Sequence, residues 1–314
     1  MRYSARMVKA VEKLWMNGSL VPWDEARVHV LTHTLHYGLA VFEGIRAYTQ
    51  PDGRPGIFRL REHIARLRDS AKVVGLALPY SEDDLCQACL DTLSANELKS
   101  AYIRPLAFMG AGEMGIGARN KTEVTIASWT WGSYLGDEGM AKGIRCRISS
   151  LTRVGTNMLM PKAKVSGHYV NSIMAKQEAL RDGYDEALLL DGQGFVAEAS
   201  GENIFIVRDG VCITPSLGTS ILAGITRASL LTLLADEGVA VVERPLTRDE
   251  VYTADEVFLC GTAAEVTPVR QVDHCVIGEG ARGPLTARVQ KRYLDIVHGR
   301  EPGFAHWITT HAAK

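Results

Sequence analysis

From residue 144 onward the chain is cut into short apolar runs of strand length, and this limits its fold more than any other feature. The runs are 144–149, 186–190, 195–198, 203–207, 211–214, 239–243 and 256–260. Short runs separated by turn residues, such as Asp191-Gly192-Gln193-Gly194, pair with their neighbours in antiparallel style. Helical periodicity interrupts them at 167–181, 225–237, 247–253 and 285–297, so this half mixes helices with a sheet of short strands.

The first part of the chain reads differently. Asn17-Gly18 marks a hairpin within 13–20, a strand covers 41–48, and Pro51-Asp52-Gly53 turns it back through 57–60. An amphipathic helix over 61–74 buries Leu60, Ile64, Leu67, Ala71 and Val74, with Arg66 on the flank of that stripe. The strand 101–109 projects Tyr102 and Arg104 to one face, because side chains alternate. The glycine-rich segment 131–140 has no period and separates the two patterns. The expected organisation is an N-terminal α/β domain at 1–130, in which 1–12 is an extension, a linker and lid at 131–140, and a larger domain at 141–314.

Length and charge exclude several functions. At 314 residues the chain can bury two cores, and 46% hydrophobic with 23% charged residues is ordinary for a globular protein. A formal charge of -1 offers no basic field to nucleic acid, and no apolar run is long enough to span a bilayer. Residues 1–13 are basic but lack the apolar core of a secretion signal. Six cysteines without a repeating spacing are expected as free thiols, with the cytoplasm as the default location.

Three apparent motifs fail on context. Cys86-Gln87-Ala88-Cys89 lies on the apolar stripe of a helix, with no second pair to complete a zinc site. His33 and His36 have helical metal spacing but no acidic or thiol company, and read as structural. Gly110-Ala111-Gly112-Glu113-Met114-Gly115 matches G-x-G-x-x-G, but loop and strand follow where a dinucleotide site needs a helix. No metal is expected.

The run 161–172 carries the chemistry. Lys162 and Lys164 precede a helix among small and apolar neighbours, and Tyr169 follows Lys164 by five residues, on the first helical turn. A lysine so placed can serve as an amine nucleophile, because burial disfavours the ammonium form. The residues alone do not choose between the two lysines. Glu198 ends an apolar strand before Ala199-Ser200-Gly201-Glu202-Asn203, and on its own pattern reads as exposed. Two glycine-led loops, Leu222 to Arg227 before a helix and Gly261-Thr262-Ala263-Ala264 after a strand, suit a phosphate. A nucleophilic lysine, a phenol, an acid and a phosphate cradle together meet the needs of pyridoxal phosphate.

The chain resembles the branched-chain amino acid aminotransferases, in the class IV (fold type IV) group of pyridoxal phosphate enzymes, over 14–307. The matching runs include His36-Tyr37-Gly38, Val41-Phe42-Glu43-Gly44-Ile45-Arg46, Tyr102-Ile103-Arg104-Pro105 and Trp131-Gly132-Ser133-Tyr134-Leu135-Gly136. Lys164 to Tyr169, Glu198 to Asn203, Gly224-Ile225-Thr226-Arg227 and Gly261 to Glu265 continue the series in order. The resemblance implies a two-domain α/β (α+β) fold like that of D-amino acid aminotransferases, the larger C-terminal domain forming a pseudo-barrel of short strands.

It also implies residue roles. Lys164 would form the Schiff base with pyridoxal 5′-phosphate, which passes through the pyridoxamine form in a ping-pong exchange between leucine, isoleucine or valine and 2-oxoglutarate. Tyr169 would bond the cofactor's phenolic oxygen and Glu198 its ring nitrogen, with Arg66, Ile225, Thr226 and Thr262 on the phosphate. Phe42, Tyr134 and Ala263 would wall the substrate pocket, and Tyr37 and Ile116 would reach in from a neighbouring subunit. Tyr102 and the Thr262-Ala263 backbone would take the α-carboxylate, and Arg104 the side-chain carboxylate of glutamate. The expected partners are small amino and 2-oxo acids and further copies of the chain, in a homodimer at least or in a hexamer. Alternative chemistries on this fold are D-amino acid or (R)-amine transamination and aminodeoxychorismate lyase activity.

Overall fold

The structure, a computed structural model, describes residues 8–132 and 135–311. Its contacts divide it into two compact units. The first takes the described parts of Met1–Gly132 and Val297–Lys314, and the second those of Ser133–Ile296.

In the first unit β1 (Lys13–Met16) and β2 (Ser19–Pro22) form the expected hairpin, with Asn17 and Gly18 at φ 48° and 102°. The short helix α1 (His33–Tyr37) leads to β3 (Ala40–Phe42), β4 (Ile45–Thr49) and β5 (Pro55–Phe58). Then come α2 (Leu60–Val73), α3 (Glu82–Ala95), β6 (Ala101–Met109) and β7 (Thr122–Trp129). The strand expected at 41–48 is thus broken at Glu43 and Gly44, between β3 and β4. Both residues have another use. The Glu43 side chain is fully buried in an ion pair, and a Cβ at position 44 would lie 1.9 Å from the Tyr102 hydroxyl.

The sheet runs in the order Ile308–Thr309, β5, β4, β6, β7, β1, β2, with β3 also on β6. Helix α2 buries Leu60, Ile64, Leu67 and Ala71 of the expected stripe, whereas Val74, the fifth, is the C-cap and only half-buried. Helix α3 starts on a Ser81/Asp84 capping box and buries Cys86 and Cys89, whose thiols burial pushes up, that of Cys86 to about 11. The C-terminal stretch, expected with the larger domain, belongs instead to this unit. Ile308 pairs with Phe58, and the buried Trp307 meets the Phe58 ring edge-on at 5.8 Å and lies under the Arg59 guanidinium. An aromatic anchor of this size outweighs the short ladder it accompanies.

The second unit opens with α4 (Asp137–Lys142) and β8 (Ile144–Thr152), and a 3-10 turn at Ser166–His168 then runs into α5 (Tyr169–Arg181). The strands β9 (Glu186–Leu190), β10 (Val196–Ala199), β11 (Asn203–Arg208) and β12 (Val211–Thr214) follow. After them come α6 (Ile225–Asp236), β13 (Val241–Glu243), α7 (Arg248–Tyr252) and β14 (Glu256–Gly261). The unit ends with β15 (Glu265–Val272), β16 (Cys275–Val276) and α8 (Pro284–Val297).

Its sheet order is β10, β9, β8, β15, β14, β11, β12, β13, with β16 on β15. A bridge from Val196 in β10 to Leu246, just beyond β13, brings the two ends of the sheet together. That closure agrees with the pseudo-barrel that the family resemblance implies. An unexpected strand lies at its centre. β15 pairs with β14 on one side and β8 on the other, although Pro268 argues against an interior strand. The register beside β8 shifts between Val269 and Gln271, next to the proline that cannot donate to the ladder. Helix α5 buries Ser172, Ala175 and Ala179, and its two alanines pack on Ala187 and Leu189 of β9. Small residues let it lie close to the sheet, which fixes where its first residue, Tyr169, stands.

Candidate active site

Lys164 and Tyr169 meet at the start of α5. The Lys164 Nζ donates to the Tyr169 hydroxyl at 2.6 Å, both residues half-buried. The 3-10 turn between them reverses the chain tightly enough for residues five apart to touch. Lys162 is placed otherwise. Its amine donates to the carbonyl oxygens of Thr219 and Ile221 at 2.9 and 2.8 Å, pinning the loop that leads to α6. The geometry therefore separates two lysines that the local sequence leaves equivalent.

Glu198 is buried, where its own pattern reads as exposed. The reason lies outside its strand. Arg153, just past the end of β8, donates from Nε to Glu198 Oε1 at 2.7 Å. Asn203 Nδ2 and the Leu222 backbone N–H donate to Oε2 at 3.1 and 2.9 Å. Asn203 also donates to the Leu222 oxygen at 3.0 Å, so one amide ties the acid to the loop before α6. A carboxylate has about four acceptor positions, so three donors leave room for one more.

Ile225 and Thr226 are buried at the first positions of α6, whose N-cap Gly224 provides no side-chain bond to the helix amides. Those N–H groups keep the capacity to hold an anion. Thr262 and Ala263 form the turn between β14 and β15, and the register sets Asn203 of β11 beside Cys260 at the end of β14. Behind this site lie two buried acids. Glu186 accepts from Lys176 Nζ and Ser200 Oγ at 2.5 Å each. Burial, reinforced by the charge of Glu186, pushes the Glu202 carboxyl up to about 8. His168, beside Tyr169, is driven down to about 4, by burial first and then by the positive charge of Arg153.

The first unit holds the other expected residues. Arg66 on α2 donates to both oxygens of Glu43, Nε to Oε1 at 2.7 Å and Nη2 to Oε2 at 2.8 Å, and His63 Nδ1 lies 2.7 Å from Oε2. Burial alone would raise the Glu43 carboxyl. Arg66 and His63 more than offset it and hold the group far below the usual carboxylate range. Tyr102 and Arg104 share a face of β6 as expected, Arg104 Nη2 donating to the Tyr102 hydroxyl at 3.1 Å. The Arg104 guanidinium lies over Phe42 at 4.7 Å and also faces Tyr102 and Trp129 at 5.3 and 6.0 Å. Trp131 meets Tyr102 edge-on at 4.4 Å.

Tyr37 on α1 and Ile116 in the loop before β7 are exposed, at 46% and 97%. His33 links their segments, with Nε2 2.8 Å from the Gly115 oxygen and its ring 4.5 Å from that of Tyr37. Tyr134 lies outside the described residues. Sequence reasoning does not find Arg153, Asn203, Glu43, His63 or Trp129 as parts of these clusters. Only Glu43 gives a hint, as an acid within an apolar run.

Among the described residues no group of three or more His, Cys, Asp or Glu could hold a metal ion. No described helix is long and apolar enough to cross a membrane.

The model of the amino-transferase class IV family matches residues 40–272. A branched-chain-amino-acid aminotransferase of Pseudomonas aeruginosa is 52% identical over 297 residues, covering 94% of this chain and 96% of that protein. The crystal structure of the Escherichia coli branched-chain amino acid aminotransferase superposes with a TM-score of 0.93 at 44% identity, covering 96% of this chain and 99% of the other. The branched-chain amino acid aminotransferase from Thermobaculum terrenum, in its PLP form, gives a TM-score of 0.90 at 37% identity, covering 97% of this chain and 99% of the other.

Proposed function

The chain belongs to the class IV aminotransferase family, and from that membership we propose that it moves amino groups between L-branched-chain amino acids and 2-oxoglutarate with pyridoxal 5′-phosphate. The observation that carries this reading is the 2.6 Å contact of Lys164 with Tyr169, in the same unit as the buried, charge-balanced Glu198. The site fits such a cofactor: α6 has no side-chain cap at its first amides, and Glu198 has room for one more donor.

When bound, pyridoxal phosphate supplies an aldehyde for the amino group and a ring that accepts electrons from the substrate α-carbon. The residues of the chain do the rest. Tyr169 orients the Lys164 amine, whose Nζ takes the proton from the substrate α-carbon as general base. Glu198 holds the proton on the ring nitrogen. The amides of Ile225 and Thr226, the Thr262 hydroxyl and the Arg66 guanidinium bind the phosphate, the arginine kept in a fixed pose by Glu43.

Phe42, Tyr102 and Arg104 receive the substrate, together with Ala263 and the partner-contributed Tyr37 and Ile116. The stack of Arg104 on Phe42 serves both side chains the enzyme must accept. Leucine meets the aromatic face, and the carboxylate of glutamate meets the guanidinium. The exposure of Tyr37 and Ile116 supports assembly as a homodimer at least, in which each copy completes its neighbour's pocket. Six free cysteines, five of them buried, suit a reducing cytoplasm.

Borohydride reduction of the cofactor-loaded protein, followed by peptide mapping, tests the lysine. The label is expected on Lys164, and Lys164→Ala is expected to lower activity by several orders of magnitude. A label on Lys162, or exchange with D-alanine but not L-leucine, would overturn the proposal.

A further inference from the structure

One charge beside Glu198 has no part in the reaction described above. Arg153 is 8% exposed, and three adjacent strands set its place. It follows β8, its backbone N–H donates to Leu190 of β9 at 2.8 Å, and β10 on the far side of β9 carries Glu198. The guanidinium reaches the acid through Nε alone, at 2.7 Å, and its Nη1 is buried without a partner among the described residues. The other two donors to Glu198, the Asn203 amide and the Leu222 N–H, are neutral. Arg153 is thus the one cation that meets this buried carboxylate among its described hydrogen-bond donors, and a buried charge without such a partner is costly.

We propose that Arg153 is a positioning residue for transamination: by keeping Glu198 an oriented carboxylate, it keeps the ring nitrogen of the bound cofactor protonated. The inference rests on the reading that Glu198 faces that nitrogen. A neutral Glu198 would compete as a donor and release the ring proton, and the ring would then accept electrons poorly. Two further titratable groups, Lys162 and His168, feel the same guanidinium. Burial is the largest cause that disfavours their protonation; the charge of Arg153 adds to it at His168, and at Lys162 Glu198 opposes it while Arg227 and then Arg153 add to it.

The experiment titrates the visible absorbance of the bound cofactor between about pH 5 and 10 in wild type, Arg153→Met and Arg153→Lys, and measures cofactor dissociation for each. A protonated ring opposes protonation of the nitrogen that joins Lys164 to the cofactor. Arg153→Met is therefore expected to move the titration midpoint up by about one pH unit or more and to raise the dissociation constant about ten-fold. Arg153→Lys keeps the charge but not the planar fork, so its midpoint stays near wild type while retention weakens. An Arg153→Met protein with wild-type midpoint and retention overturns the proposal. If Arg153→Met does not fold, wild-type retention in Arg153→Lys overturns it. Borohydride labelling runs in parallel: failure to label Lys164 in wild type refutes the underlying function, whereas normal labelling with an unmoved midpoint refutes only the role of Arg153.

Discussion

Glu202→Gln is a substitution whose effect on stability should change with pH in a way that reports a buried proton. Glu202 is 4% exposed and Glu186 is fully buried. Glu186 takes the cation, Lys176, together with the Ser200 hydroxyl and the Ala187 N–H, while Glu202 accepts the Gly201 N–H at 3.1 Å. Burial first, then the negative charge of Glu186, lifts the folded-state pKa of Glu202 from 4.5 to about 8. Because this value lies above the unfolded one, the folded protein binds more protons across the window between them. Stability contributed at low pH is therefore lost as pH rises through that window, by about 1.4 kcal/mol per pH unit from a single group. Glutamine keeps the shape of the protonated acid and does not titrate. From pH 6 to pH 8 the variant should gain about 2–3 kcal/mol relative to wild type, or roughly 3–5 °C in Tm. Thermal unfolding of both proteins at fixed protein and cofactor concentration, in half-unit pH steps, measures the difference. Two parallel curves, separated by the same amount at every pH, would show that Glu202 is ionised at neutral pH and refute the reasoning.

Three other outcomes follow from the same kind of accounting. His168→Gln should flatten the acid limb of the stability curve: the folded-state pKa of about 4 lies below the unfolded value of 6.5, so wild type loses stability as pH falls through that interval, about 2 kcal/mol between pH 6.5 and 5. Glu43→Gln leaves the Arg66 guanidinium without its carboxylate and should cost about 3–5 kcal/mol in urea unfolding, whereas Asp83→Asn, at the exposed pair with Arg61, should stay within about 0.5 kcal/mol. Equal effects of those two would contradict the burial argument. Gly224→Ala places a Cβ 1.9 Å from Asn203 Oδ1, so the amide must leave Glu198 and Leu222, and cofactor affinity measured by equilibrium dialysis should fall about ten-fold.

The periodic elements and the local turn chemistry are legible from the sequence alone, while partners far along the chain are not. The Asn17-Gly18 hairpin, the stripe of α2 and the helix opening near Tyr169 each depend on residues within a few positions of one another, and each is where pattern reading puts it. Two failures share a physical cause. β15 escapes pattern reading because Pro268 normally marks an edge, and the register shift that accommodates it involves β8, more than a hundred residues away. The C-terminal stretch reads as part of the wrong unit because Ile308–Thr309 is too short to show as a strand, and its anchor is the Trp307 ring on Phe58.

The acids make the same point about chemistry. Glu43 and Glu198 interrupt apolar runs and Glu186 opens one after Asp185, and a rule based on neighbours alone sends each to the surface. Each is buried because a cation on another element reaches it: Arg66 from α2, Lys176 from α5 and Arg153 from the end of β8. The family resemblance could name Glu198 and Arg66 as site residues without giving the reason either is tolerated where it stands. An acid in an apolar strand thus implies a distant cation, and here Arg153 has that position beside Glu198. Substituting Arg153 should for that reason alter the protonation of the site.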